Sequence, residues 1–210
     1  MDSDDVRRAW ADRDGEYSPA YYAHYGADET SESIRDLLET YAARDASVLE
    51  LGCSSGRHLA HLLEHGYENL SGIELNAEAF DVMAEHYPEL WDAGTFYADA
   101  IENVVGDFAD GEFDAVYSVE TLQHVHPDAE WVFAEVARVT RDLLVTVETE
   151  SEAAEAAERI ENEDDPDVNY VRDDVPLFYR DWGEVFTDLG FEQVARREGK
   201  RETIRAFRAR

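Results

Sequence analysis

Lysine is almost absent from this chain: Lys200 is the single one among 18 basic residues, which face 50 Asp and Glu for a formal net charge of −32 over 210 residues. Such a chain repels nucleic-acid phosphates and anionic membrane surfaces at ordinary ionic strength, and both classes of partner are excluded on that ground. Cysteine is nearly as scarce. Cys53 alone cannot form an internal disulfide, which fits a reducing compartment and a cytoplasmic protein. No apolar run approaches the roughly 20 residues of a membrane-spanning helix, and the opening stretch MDSDDVRRAWADRD lacks the apolar core of a leader. Disorder would account for the charge in a chain poor in apolar residues, but 44% are hydrophobic here and fall in periodic runs. The remaining account is adaptation to molar salt, where the Debye length falls to about 3 Å and the self-repulsion is screened. The expectation is a halophile protein, a monomer or homodimer.

What is present is organised around Ala46–Gly56, ASVLELGCSSG. The apolar run Val48, Leu49, Leu51 ends in Glu50 and two glycines, Gly52 and Gly56, and a helical pattern starts at Arg57. A buried strand, a tight turn and a helix start in that order form a nucleotide-site candidate, since ligands of open α/β sheets sit at the carboxyl ends of strands. Downstream, strands alternate with helices: Leu70–Leu75, Ala77–His86, Thr95–Ala98, Phe113–Val119, Pro127–Thr140, Leu143–Thr149. This alternation predicts right-handed crossovers and a doubly wound α/β fold. An Ala/Glu helix is expected from Glu150, running into an exposed stretch at Asn162–Pro166, then a helix around Tyr179–Leu189 and a hairpin of Phe191–Arg197 with Thr203–Arg208. Residues 1–45 read as an aromatic arm followed by a helix capped by Thr30 or Ser31, and residues 46–210 as the cofactor-binding domain, the whole being a single domain.

Glu74 ends the second strand 22 residues after Gly52 (74 − 52), a separation that suits a carboxylate accepting both ribose hydroxyls of an adenosine cofactor. Asp99 ends the third strand, where it could take the exocyclic amine of adenine, with the backbone at Ala100 against the ring.

At this point the chain resembles the class I S-adenosylmethionine-dependent methyltransferases, especially the small-molecule branch related to quinone-biosynthesis enzymes. The resemblance covers about residues 45 to 150 and rests on LELGCSSG, GIEL, ADA at 98–100 and FDAVYSVETLQHVHP. It implies a seven-stranded, mostly parallel sheet with an antiparallel last strand. The implied cofactor is S-adenosylmethionine, held by Gly52, Cys53, Ser54, Gly56, Glu74, Leu75, Asp99 and Ala100. Glu50 would orient the loop or the cofactor's amino group, and the backbone of Ser118 would meet the methionyl amine. Ser54 stands where the family usually has glycine and is read as a variant that keeps an ordinary φ.

Methyl transfer from a sulfonium needs alignment and exclusion of water, with a general base only for a weakly nucleophilic acceptor. His124, just past the fourth strand, is the candidate base, with a plain backbone hydrogen bond as its other use; His126 is the weaker candidate. Tyr17, Tyr21, Tyr22 and Tyr25 suit either packing or a flap over an acceptor, with Tyr170, Arg172 and Tyr179 as a second wall; a surface ion pair is the other use of Arg172. His58, His61 and His65 share a helix face, but Leu59, Leu62 and Leu63 mark the buried side, so the histidines are expected to flank the exposed one and no metal is assigned. Cys53 near a helix N-terminus should have a lowered pKa if it is a nucleophile, and is otherwise a small loop residue. Nucleic-acid methylation is disfavoured, because SVET at 118–121 replaces the Asn/Asp-Pro-Pro-aromatic tetrad of amino-methylating enzymes. Besides a methyltransferase acting on a small molecule, two readings stand: a non-catalytic binder of the same cofactor, and a nicotinamide oxidoreductase, which would need G-x-G-x-x-G where Gly52-Cys-Ser-Ser-Gly56 stands.

Overall fold

The computed structural model describes residues 2–13, 15–150, 168–171, 175–199 and 201–210, with the backbone alone at 168–171. Three helices come first: α1 (Ser3–Ala11), α2 (Pro19–Tyr25) and α3 (Glu29–Tyr41). The alternating part follows: β1 (Val48–Leu51), α4 (Arg57–Glu64), β2 (Leu70–Glu74), α5 (Glu78–His86), α6 (Pro88–Ala93), β3 (Thr95–Ala98), α7 (Ile101–Val104), β4 (Phe113–Val119), α8 (Trp131–Val139) and β5 (Thr140–Thr149). The last elements are β6 (Val168–Val171), β7 (Val175–Phe178), α9 (Trp182–Asp188), β8 (Phe191–Glu198) and β9 (Glu202–Ala209).

Among the described residues, seven strands form one sheet in the order β3-β2-β1-β4-β5-β9-β8. The pairs from β3 to β5 are parallel, and β9 pairs antiparallel with both β5 and β8, so β9 alone runs against the rest. The expected doubly wound sheet with its antiparallel last strand is the observed one. β6 and β7 form a separate two-stranded hairpin. Strand order reverses between β1 and β4, and this switch point opens a crevice at their carboxyl ends.

Alternation along the strands builds two cores. Val48, Tyr117, Leu143, Val145 and Val147 face Ile34, Leu38, Leu59 and Leu62 of α3 and α4. Leu49, Leu51, Val116 and Leu144 face Val132, Val136, Trp182 and Phe186 of α8 and α9. Each such side chain, fully buried, stabilises the fold by roughly 1.5–3 kcal/mol.

Four local expectations are corrected. Asp28, not Thr30 or Ser31, caps α3: its carboxylate accepts the Thr30 and Ser31 backbone N–H groups, and Ser31 Oγ returns to the Asp28 N–H. His58 and His61 are buried, because α3 lies along α4: Ser31 Oγ is 2.8 Å from His58 Nδ1, and Glu32 is 3.4 Å from His61 Nε2. α4 thus buries Leu59 and Leu62 on one face and His58 and His61 against α3. The helix expected from Pro127 is a 3-10 turn at Pro127–Ala129 followed by α8 from Trp131, and β5 starts at Thr140. Glu150 is buried in a bidentate pair with Arg205 (2.6 and 2.9 Å), while the helix expected beyond it lies outside the described residues.

Candidate functional site

The glycine turn after β1 is built from left-handed residues: Gly52 at φ +70°, Ser54 at +47° and Gly56 at +81°. Ser54 therefore takes the glycine-like conformation, not the ordinary φ expected of it. A Cβ on Gly52 would lie 2.3 Å from Thr121 Oγ1, so the turn presses directly on the end of β4. Glu74 holds the turn from β2. Its Oε2 accepts the Ser54 N–H (2.8 Å) and its Oε1 the Asn76 N–H (2.7 Å), which leaves lone pairs on both oxygens. Burial raises the Glu74 carboxyl, against the lowering effect of these amides.

Glu50 is buried at the end of β1 and accepts the Tyr117 hydroxyl on Oε2 at 3.0 Å. Burial pushes its carboxyl well up, so a cation beside it would restore the anion. At the end of β3, Asp99 Oδ1 accepts both the Ala100 N–H and the Asn103 amide at 2.7 Å; the Ala100 N–H is thus already engaged. α4 begins at Gly56 with no side-chain cap, and Arg57 and His58 bring its open first turn to the crevice.

Glu50, Gly52, Cys53, Ser54, Glu74, Leu75, Asp99 and Ala100 lie together on one crevice wall, and Gly56 starts the helix behind it. One cofactor candidate lies elsewhere than expected. Ser118 is buried away from this wall, its Oγ donating to Glu148 at 2.5 Å, and the strand end that faces the crevice is Val119–Thr121. Cys53 is buried, and desolvation pushes its thiol up where a reactive cysteine needs it low; it is a small loop residue.

The opposite wall comes from the arm: Trp10, Arg13, Tyr17 and Tyr22 face the crevice. Tyr21 and Tyr25 do not. Tyr21 packs at a tilt against Tyr17 and Tyr25, with ring centroids 5.7 and 4.9 Å away, and Tyr25 is 63% exposed. Arg57 fastens the arm to α4 by bonding Gly26 O and the Asp28 carboxylate and lying over the Tyr22 ring. Tyr170 is described only as backbone in β6, and Arg172 lies outside the described residues.

His124 closes the crevice floor with its ring 4.5 Å from Trp10. Its Nδ1–H donates to Pro176 O of β7 at 3.2 Å, which makes Nε2 the acceptor nitrogen. Burial, and secondarily the Arg13 charge, lower its pKa to about 4, so the ring is neutral at pH 7. His126 instead bonds the Asp128 N–H through Nδ1.

Sequence reasoning missed Arg13, Arg57, Glu120 and Thr121. One structural signal singles out Glu120: the non-glycine residues with left-handed φ among those described are Tyr17, Ser54 and Glu120, and all three line the crevice. Such strain collects where function demands it.

Comparison with known proteins agrees with this fold. The methyltransferase-domain family matches residues 48–143. The O-methyltransferase cnsE of Penicillium expansum is 25% identical over 127 residues, covering 58% of this chain and 46% of that protein. The chain spans less than half the length of the curated relatives it matches. Among solved structures, the chain bound to the Haloferax volcanii Trm112 methyltransferase activator superposes with a TM-score of 0.70 at 14% identity, over 99% of this chain and 97% of that one. The 1,6-didemethyltoxoflavin-N1-methyltransferase of Burkholderia thailandensis, solved with 1,6-didemethyltoxoflavin and S-adenosylhomocysteine, superposes at 0.64 with 18% identity, over 86% and 77%.

Proposed function

We propose that this chain, which carries a methyltransferase domain of the class I Rossmann-like fold, transfers a methyl group from S-adenosylmethionine to a small-molecule acceptor. The observation that supports this best is Glu74, clamped by two backbone amides at the end of β2 beside the left-handed turn, with lone pairs left for two ribose hydroxyls. The rest of the donor set suits the same cofactor. Asp99 keeps Oδ2 for an exocyclic amine, the buried Glu50 favours a cation, and the open first turn of α4 favours a carboxylate. When bound, the cofactor supplies an activated methyl group on a positively charged sulfur.

The chain's own contribution is alignment, exclusion of water and control of a proton. The arm residues Trp10, Tyr17 and Tyr22 cover the crevice and shape an apolar acceptor space. His124 presents Nε2 as a hydrogen-bond acceptor. At a pKa of about 4 it orients a nucleophile's proton and is a weak base: full transfer from a group of pKa about 10 would cost about 8 kcal/mol. The excess of carboxylates supports a cytoplasm of high salt as the working environment and argues against nucleic-acid partners.

The test is calorimetric titration in about molar KCl with S-adenosylmethionine, S-adenosylhomocysteine and NAD, on wild type and Glu74→Ala. Hydrogen bonds to a charged group are worth about 1.5–3 kcal/mol each, so losing the carboxylate should weaken the adenosyl ligands at least tenfold. Micromolar binding of both adenosyl ligands, none of NAD and that loss in Glu74→Ala support the proposal. Folded wild-type protein that binds neither adenosyl ligand refutes it. Binding without turnover across acceptor classes would make the chain a non-catalytic cofactor-binding protein.

A further inference from the structure

Glu120 is the feature of the crevice that the cofactor does not explain. It follows β4 at φ +48°, where glutamate is rare, and its backbone N–H is fixed to Val147 O at 2.8 Å. Its side chain reaches the crevice and makes no hydrogen bond or ion pair with any described residue. The other carboxylates here are engaged: Glu50 by Tyr117, Glu74 by two amides, Asp99 by Ala100 and Asn103, and Glu102 by Arg7. The charges around Glu120 leave it open. Arg57 from α4 is bonded to Asp28; Arg201 and Glu202 come from the β8–β9 turn; and Tyr22 faces it from the arm, its phenol raised chiefly by burial and then by the Glu120 charge. The carboxylate itself is exposed to the crevice, within reach of the Arg57 and Arg201 charges but bonded to neither, and a strained backbone holds it in place.

We propose that Glu120 receives the acceptor, and that the acceptor is an amine that arrives protonated, with an apolar body packed against Trp10, Tyr17 and Tyr22. This rests on the methyltransferase reading and names the substrate class of the same site. Glu120 pairs with the ammonium and orients it, and one N–H proton passes to water, which frees the nitrogen lone pair. That lone pair forms the new N–C bond as the C–S bond breaks, and the bonding electrons leave with sulfur, which becomes neutral. The positive charge passes to nitrogen and stays beside the carboxylates, and the product leaves as a methylammonium ion.

The test is calorimetry on the full chain saturated with S-adenosylhomocysteine, using three probes of one shape: 2-phenylethylamine, 2-phenylethanol and phenylacetate. The amine is expected to bind at least tenfold tighter than the alcohol, and the acid weakest. That preference should vanish in Glu120→Gln and recover in part in Glu120→Asp, with S-adenosylhomocysteine affinity unchanged within about twofold in both. With methyl transfer followed as S-adenosylhomocysteine release, wild type should use the amine, and the acidic limb of its pH profile should disappear in Glu120→Gln. An alcohol or acid bound as tightly as the amine, a preference that survives Glu120→Gln, or no binding of any probe overturns the proposal. Failure of S-adenosylhomocysteine itself to bind would count against the cofactor reading instead.

Discussion

Replacing Glu148 should change both the stability of the protein and the way that stability depends on pH. Glu148 lies fully buried on β5 and accepts four hydrogen bonds, from Ser118 Oγ (2.5 Å) and from the N–H groups of Thr121 (3.2 Å), Leu122 (3.1 Å) and Gln123 (3.3 Å). It thereby fixes the 3-10 turn that carries Thr121 and His124 to the crevice. Glu148→Ala orphans all four donors at about 1–3 kcal/mol each, a loss of about 4 kcal/mol even at the low end and comparable to the whole stability of a marginal domain. Glu148→Gln is the measurable variant: its amide oxygen can keep the three bonds made by Oε1, while its NH2 meets the Gln123 N–H. Burial, outweighing the four donors, lifts the carboxyl from 4.5 to about 7. The folded state therefore holds more protons than the unfolded state between those values, and this group's contribution to stability falls as pH rises from 4.5 to 7, by about 3 kcal/mol. His58 and His124, buried with pKa values of about 3 and 4, act with the opposite sign: their contribution rises as pH climbs to the unfolded value of 6.5. Both histidines are common to the two proteins and cancel in the difference. Urea unfolding of wild type and Glu148→Gln at pH 5, 6, 7 and 8 in molar KCl should show wild type ahead at pH 5 and the gap closing by about 2–3 kcal/mol by pH 8. A gap constant to within about 0.5 kcal/mol would refute the reasoning and mean that the four donors keep Glu148 ionised throughout.

Ser54→Gly should be neutral to stabilising by up to about 1 kcal/mol, since glycine accepts φ +47° without a Cβ penalty but loses more entropy on folding; thermal unfolding checks this, and a clear loss would mean the serine hydroxyl is needed. Arg57→Ala should cost only about 1 kcal/mol of stability, because the Asp28 partner is half exposed, yet it should free the arm. Hydrogen exchange at residues 18–28 should then accelerate and S-adenosylhomocysteine affinity fall, and unchanged exchange would show that the arm is held by its own packing.

The sheet was legible because each strand is an apolar run closed by a turn residue, and its two-sided burial needs no long-range information. The arm was less so. α1 has only Val6 and Trp10 on its apolar side, too few for a periodic signal, although Asp2 and Asp5 form a capping box and Ser18-Pro19 is a plain start for α2. The histidines of α4 were misplaced for a different reason: periodicity names one buried face, and only the tertiary position of α3 shows that α4 has two. Likewise, Glu148 inside the apolar run LLVTVET was a visible irregularity, but the donors that explain it come from residues 118–123 on another strand end.

The site residues that escaped sequence reasoning share a physical cause. Reading by local preference assigns each residue the conformation it favours, so Ser54 is given an ordinary φ and Glu120 draws no notice after a strand that ends at Val119. The structure instead spends its left-handed conformations at Tyr17, Ser54 and Glu120. Each costs roughly 1–2 kcal/mol that a glycine would avoid, and none is needed to close a turn in the core. A fold under selection for stability alone would replace them with glycine. Their common address on the crevice therefore argues that side chains, not merely bends, are wanted there: a tyrosine on the arm, a hydroxyl at the turn and a carboxylate past β4. Of these, only the carboxylate brings a charge to the crevice. That makes Glu120 the residue through which the acceptor's chemistry should be sought first.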